Sequence, residues 1–110
     1  MMLRRGDIAY VAIKGPYTGK PRPVVVIQAD EATPFRDSVT VCPLTGDLID
    51  APVFRIRIAP TSVNGLDRPS DVMADKVVTV PKSALGKRIG KLTTVQLREL
   101  DRALRFWLGI

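Results

Sequence analysis

The sequence predicts a mainly β protein with one C-terminal helix, folded as a small and strongly bent barrel. Three observations carry this. Apolar residues come in short runs with a period near two through residue 80, each run closed by Gly, Pro, Asn or Asp. A helical period begins only after residue 92. The 110 residues, 45% of them hydrophobic, are enough for one compact core and too few for two, so a single domain over 1–110 is expected.

The elements follow in order. Residues 7–13 alternate Ile8, Tyr10 and Ala12 against Ala9, Val11 and Ile13, which predicts a strand. The stretch 14–21, dense in Gly and Pro, cannot propagate a ladder and reads as an exposed loop whose Lys14, Tyr17 and Lys20 face solvent or a ligand. Residues 23–29 form a continuous apolar run with Val24, Val25, Val26 and Ile27, the pattern of a strand buried on both faces. After a loop at 33–37, a third strand at 39–42 is expected to end at Pro43. In 53–58, Val53, Arg55 and Arg57 alternate with Phe54, Ile56 and Ile58, which puts the arginines on the wet face. Asn64-Gly65 is a turn dipeptide, and short strands are expected at 70–74 and 77–80, the last closed by Pro81. Thr93 with Gln96 fits a capping box, and Leu92 with Leu97 stand where a hydrophobic staple would. Leu97, Leu100, Leu104 and Trp107 then recur at helical spacing until Gly109 supplies a stop.

Composition narrows the chemistry. Seventeen Lys and Arg against eleven Asp and Glu leave a net charge of +6, which makes nucleic acid or an acidic protein the natural partner class. There is no histidine and one cysteine, so histidine triads, zinc fingers and cysteine dyads are excluded, and no metal site is expected. Cys42, set within Val39-Thr40-Val41-Cys42-Pro43, reads as a small buried hydrophobe. The opening residues lack the apolar run of a secretory signal, and no stretch approaches the roughly 18 apolar residues of a membrane span, so a cytoplasmic location is expected.

Arg22 sits between Pro21 and Pro23 at the mouth of the buried strand, so its guanidinium starts from a restricted base. A planar fork of this kind can hold two phosphate oxygens and stabilise a pentacovalent transition state; the alternative is a pair with a carboxylate at a strand end. Thr45, before Gly46-Asp47, can donate into a cleft or bond its own turn. Asp75 lies between Val72-Met73-Ala74 and Val77-Val78, which would hold it on a strand, as a general base or as the partner of Lys76 or Arg22. Lys82, Lys87, Arg88 and Lys91 cluster around Leu85-Gly86 and read as a basic loop, solvated or tracking phosphates. Of the six aromatics only Tyr17 and Phe35 fall in loops, which argues against an extended stacking platform.

Taken in order, Gly6-Asp7-Ile8, Arg22-Pro23-Val24-Val25-Val26-Ile27, Val41-Cys42-Pro43-Leu44-Thr45, Gly65-Leu66 with Ser70, Asp75-Lys76-Val77-Val78-Thr79-Val80 and Leu85-Gly86-Lys87-Arg88-Ile89-Gly90-Lys91-Leu92 resemble the MazF/PemK (Kid)-like toxin endoribonucleases. The resemblance covers nearly the whole chain. It implies an SH3-like small barrel of the CcdB/PemK toxin type, a homodimer with single-stranded RNA in an interface groove, metal-independent and cofactor-free cleavage at short sequences, and an acidic cognate antitoxin. The family's roles fall on Arg22 and Thr45, with Asp75 at the position of a family acid, and RNA contacts fall to Lys14, Tyr17, Lys20, Arg55 and Lys76. Three departures bear on mechanism. The 14–21 loop is shorter than usual and lacks the Glu-Gln pair common before the arginine, Lys76 replaces the glutamine that often follows the acid, and Met73 stands where some relatives carry a basic residue, which leaves Lys20 and Lys76 as candidates for a second cation.

The chemistry implied is attack of the RNA 2′-hydroxyl on the adjacent phosphate, leaving a 2′,3′-cyclic phosphate and a 5′-hydroxyl. A second reading belongs to another class: Phe106-Trp107-Leu108-Gly109-Ile110 resembles the ending of CcdB, a non-enzymatic DNA gyrase inhibitor, although a leucine interrupts it and Trp107 also continues the helical stripe. A third is an inactive RNA-binding barrel.

Overall fold

The computed structural model describes residues 3–12 and 21–110. Strands β1 (Asp7–Val11), β2 (Arg22–Val26), β3 (Ser38–Thr45), β4 (Arg55–Ile58), β5 (Ser70–Met73), β6 (Val78–Pro81) and β7 (Leu85–Lys91) precede helix α1 (Thr94–Leu108). The sheet runs β4-β5-β3-β2-β1-β7, with β6 on β3, and every pairing is antiparallel. Among the described residues no ladder joins β4 to β7, so the bent sheet remains open between its two end strands. No helix among them is long and apolar enough to cross a membrane.

β3 is the hinge of this arrangement. Its start pairs with β6, from Ser38↔Pro81 to Val41↔Val78, and its end pairs with β5 through Leu44↔Val72 and Thr45↔Asp71. Pro43, expected to end the strand, lies inside it instead. It falls between the last β6 pair and the first β5 pair, a break in the ladder where a residue without an N–H is tolerated. The strand therefore reaches Thr45.

β2 is buried on both sides, as its apolar run requires. Val25 packs with Ile8, Cys42, Leu44 and Val72 under α1, whereas Val24 and Val26 join Val11, Val39 and Val41 on the opposite face. At about 1.5–3 kcal/mol for each fully buried aliphatic side chain, these two clusters supply most of the driving force that sets the strand register. Cys42 is fully buried, and burial pushes its thiol up to about 12, the state of an inert core residue.

The helix starts where local chemistry dictates. Thr93 Oγ1 accepts from the Gln96 backbone N–H at 3.1 Å, and Gln96 Oε1 accepts from the Thr93 N–H at 2.9 Å. Leu92 and Leu97 both pack into the core below α1, and Gly109 closes the helix with φ +71°. Leu100, Ala103 and Leu104 are the buried stripe, while Trp107 lies at its margin, half exposed, with its ring 5.4 Å from that of Phe54.

The basic segment 85–91 forms an edge strand instead of the expected loop. β7 pairs with β1 from Asp7↔Lys91 to Val11↔Leu85, with two register irregularities. Gly90 makes this possible, because a Cβ there would stand 2.3 Å from the Val63 carbonyl oxygen of the loop that crosses it. That loop accepts the Lys91 N–H on Val63 and so shields part of the edge.

Candidate active site

The β2–β3 ladder brings Arg22 and Thr45 to one end of the sheet. Its paired residues are Val26↔Val41, Val25↔Cys42 and Val24↔Pro43. Continuing that register two residues past the last pair sets Arg22 opposite Thr45, and a step of two keeps both on the face of Val24 and Pro43. Arg22 is exposed and forms no ion pair among the described residues, so the carboxylate partner considered for it does not occur there. Thr45 is half-buried, and its Oγ1 accepts from the Asp47 N–H at 3.1 Å. The threonine thus makes the turn bond common beside Gly-Asp, and its own hydroxyl proton is left to donate elsewhere.

Thr45 also heads a row of side chains across three strands. Thr45 pairs with Asp71, and Asp71 pairs with Arg57; two residues further on, Met73 pairs with Arg55 on the same face. The intervening row, Leu44, Val72 and Ile56, turns into the core. Asp71 is only 1% exposed, and its carboxylate accepts from Arg57 Nε at 2.6 Å and from the Ile49 N–H at 3.0 Å. Arg57 Nη2 in turn donates to the Ile49 carbonyl at 3.0 Å. Both backbone groups of Ile49 are therefore clamped, and the loop that leaves Thr45 is anchored four residues on. The hydrogen bond that Arg57 donates to Asp71, aided by that carboxylate's charge, raises the Arg57 pKa against the opposing effect of desolvation.

Asp75 is not on a strand. It sits in a 3₁₀ turn, Ala74–Lys76, because the chain must cross there from β5 to β6 along the edge of β3. Its partner is neither Lys76 nor Arg22 but Arg55, whose Nε and Nη2 donate to its two oxygens at 2.8 and 3.2 Å. The side chains are 11% and 12% exposed, so Arg55 is drawn off the wet face on which alternation placed it. Burial acts to raise the Asp75 pKa, but the hydrogen bond from Arg55, backbone hydrogen bonding and the charges of Arg55 and Lys76 outweigh it and hold the carboxyl below its usual range. Lys76 itself is exposed. Lys14, Tyr17 and Lys20 lie outside the described residues.

Beside this row, Ile49, Pro52, Arg55, Arg57, Asp71 and Arg102 line a cleft of about 300 Å³ against α1. The second basic group is partly committed elsewhere: Arg88 bonds Asp7 at 3.0 Å and the Lys82 ammonium donates to the Thr33 carbonyl, while Lys87 and Lys91 stay exposed on β7. Sequence reasoning passed over Asp71, Arg57 as its partner, and Arg68, whose guanidinium rests on Gly46 next to Thr45. A signal for Arg68 was present: Arg68-Pro69 immediately precedes β5, an Arg-Pro pair like the Arg22-Pro23 that begins β2.

With this geometry in view, a profile of the family described as PemK-like, MazF-like toxin of type II toxin-antitoxin system matches residues 4–108. The chain belongs to this family. Similarity within it extends end to end: a probable endoribonuclease MazF of Mycolicibacterium smegmatis is 52% identical over 108 residues, 98% of each chain. The Mycobacterium tuberculosis toxin MazF-mt6 superposes with a TM-score of 0.80 at 28% identity, covering 94% of this chain and 97% of that one. An endoribonuclease from a mycobacterial species, solved in complex with its cognate antitoxin, superposes at 0.82 over 98% and 96% of the two chains; at 21% identity it speaks for the shared fold. In this PemK/MazF-like chain, the residues facing outward at the end of β2 and β3 are the arginine and threonine described above.

Proposed function

We propose that this chain is the endoribonuclease toxin of a type II toxin-antitoxin pair, cleaving single-stranded RNA at specific short sequences by transesterification. The 2′-oxygen attacks the adjacent phosphorus, the bond from phosphorus to the 5′-oxygen breaks, and the products carry a 2′,3′-cyclic phosphate and a 5′-hydroxyl. The 2′-hydroxyl proton is released to water and the leaving 5′-oxygen takes one up from water; Arg22 holds the non-bridging oxygens as negative charge grows on the phosphorane, and Thr45 donates a hydrogen bond to an oxygen of the same phosphate. Because the substrate supplies its own nucleophile, the reaction needs no metal or cofactor.

What supports this reading is the β2–β3 register, which, continued past its last pair at Val24↔Pro43, carries Arg22 and Thr45 to the same end and face of the sheet, with the guanidinium in no ion pair among the described residues. Lys14, Tyr17, Lys20 and Lys76 extend the grip on the RNA strand. Asp75 acts by fixing Arg55, and removing a 2′-hydroxyl proton would require it to give up one of its two bonds to that residue. The toxin works in the cytoplasm as a homodimer, one domain per chain, and is silenced by an acidic antitoxin drawn to its net charge of +6.

The test is incubation of purified protein with a long single-stranded RNA in EDTA, followed by mapping of the new ends. Arg22→Ala is expected to lower cleavage by about 10²–10³-fold, the scale of losing a principal transition-state donor, while leaving the melting transition in place. Full activity in that variant, or wild-type protein that generates no cyclic-phosphate ends, would overturn the assignment.

A further inference from the structure

Gly46 follows Thr45 directly, and it is not a glycine of conformational necessity. The described glycines with positive φ are Gly6, Gly65 and Gly109, so Gly46 keeps a backbone open to other residues. What it lacks is volume. A Cβ built there would stand 2.7 Å from Arg68 Nε, 3.0 Å from its Cζ and 3.2 Å from its Nη2. The space a side chain would fill is occupied by the Arg68 guanidinium, one residue from the candidate hydroxyl.

Arg68 is exposed, and among the described residues it forms no ion pair. Its neighbours on β4 behave otherwise: Arg55 is bound to Asp75 and Arg57 to Asp71. The position where relatives carry a second basic residue holds Met73, which pairs in the ladder with Arg55. The site thus has an apolar residue where a cation was expected and an uncommitted arginine a short way along the same strand's approach, between Asp67 and Pro69.

We propose that Arg68 is a substrate-binding cation of this site, its guanidinium seated on Gly46 to hold a phosphate of the RNA strand passing Thr45. The proposal rests on the RNase reading above, and Gly46 is the residue that makes the seat. A planar fork suits two phosphate oxygens at once, which a lysine cannot match.

The experiment has a binding arm and a cleavage arm. Binding of a 2′-O-methylated single strand, which cannot be cleaved, is measured against salt for wild type, Arg68→Ala, Arg68→Lys and Gly46→Ala. Loss of one phosphate contact lowers the slope of log affinity against log salt by about 0.7 in Arg68→Ala, whereas Arg68→Lys keeps the slope. A residue that merely propped the loop would not change it. In the cleavage arm, Arg68→Ala is expected to lose about 10–100-fold, a charge-assisted contact's worth, with kcat/KM falling and the melting transition unchanged. Gly46→Ala, which displaces the guanidinium and keeps its charge, is expected to lose less, and to add nothing when combined with Arg68→Ala.

An unchanged salt slope together with cleavage within about twofold of wild type in Arg68→Ala would overturn the proposal, as would full additivity of the two substitutions. Arg22→Ala separates the two failures. If wild type cuts RNA and Arg22→Ala does not, a silent Arg68→Ala sinks Arg68 alone; if wild type does not cut, the RNase reading has failed and the binding slope still decides Arg68.

Discussion

Arg55 and Asp75 offer the sharpest test of how packing serves the site. Both side chains are about nine-tenths buried and joined by two hydrogen bonds, so removing either strands the other as a charge without a counterion. A fully buried broken pair costs about 3–5 kcal/mol, and the residual exposure here brings the expectation for Arg55→Met or Asp75→Ala down to about 2.5 kcal/mol. Once one partner is gone, removing the second strands nothing. The double variant is therefore expected to cost about the same as either single, a coupling of about 2.5 kcal/mol and a melting shift near 10 °C for a chain of this size. Urea unfolding of the four proteins in a double-mutant cycle measures this directly. The pH dependence has a definite sign. The folded state holds Asp75 below its usual range, so its stabilisation is complete above the ordinary carboxylate value of about 3.9 and is lost as the pH falls through the folded value. The gap between wild type and Asp75→Asn should close in acid and stay constant above about pH 5. In cleavage, Asp75→Asn and Arg55→Met should lose activity to similar extents, about tenfold, because both release the same ion pair. Coupling below about 0.5 kcal/mol would refute the burial argument. Loss of all cleavage in Asp75→Asn alone would show the carboxylate acting as a base.

Two further outcomes follow from the core and the tail. Cys42, buried and with its thiol pushed up to about 12, should resist alkylation at pH 8 in the folded protein and react fully in denaturant; rapid native labelling would contradict its packing between β2 and the helix. Deleting residues 108–110, where Leu108 and Ile110 are exposed, should leave RNA cleavage within about twofold, since no core contact is lost. Loss of toxicity with cleavage intact would favour the gyrase-directed reading of that ending.

What could be read in advance divides by the range of the interaction. The start of α1 was legible because a capping box and a staple are written within six residues, and β2 was legible because burial on both faces leaves an unbroken apolar run. β7 was not: Leu85-Gly86-Lys87-Arg88-Ile89-Gly90-Lys91 carries polar residues and two glycines, and Gly90 is required by a loop some 25 residues earlier in the chain, crossing at Val63. Pro43 misled for the same reason, since only the switch from β6 to β5 shows that its missing N–H costs little. For the candidate site, Arg22 and Thr45 could each be proposed from local context, but that they fall at the same end of the sheet depends on the β2–β3 register. The partners of Asp71 and Asp75 depend on the β4–β5 register in turn, which no spacing in the chain reveals.

That register also decides where the net charge of +6 acts. Arg5, Arg55, Arg57 and Arg88 are each bonded to a carboxylate, and a paired cation presents little field to a polyanion. The charge available to a polyanion is then carried by cations without such partners among the described residues, among them Arg22, at the end of β2 next to the end of β3, and Arg68, seated on Gly46. The proline that follows each of them restricts the arginine's own backbone, at the first residue of β2 for Arg22 and just before β5 for Arg68. The two cores give the sheet little freedom to relax, so the backbone from which Arg22 and Thr45 project is set in advance, and a backbone set in advance is one condition for electrostatic stabilisation of a transition state to exceed what water provides.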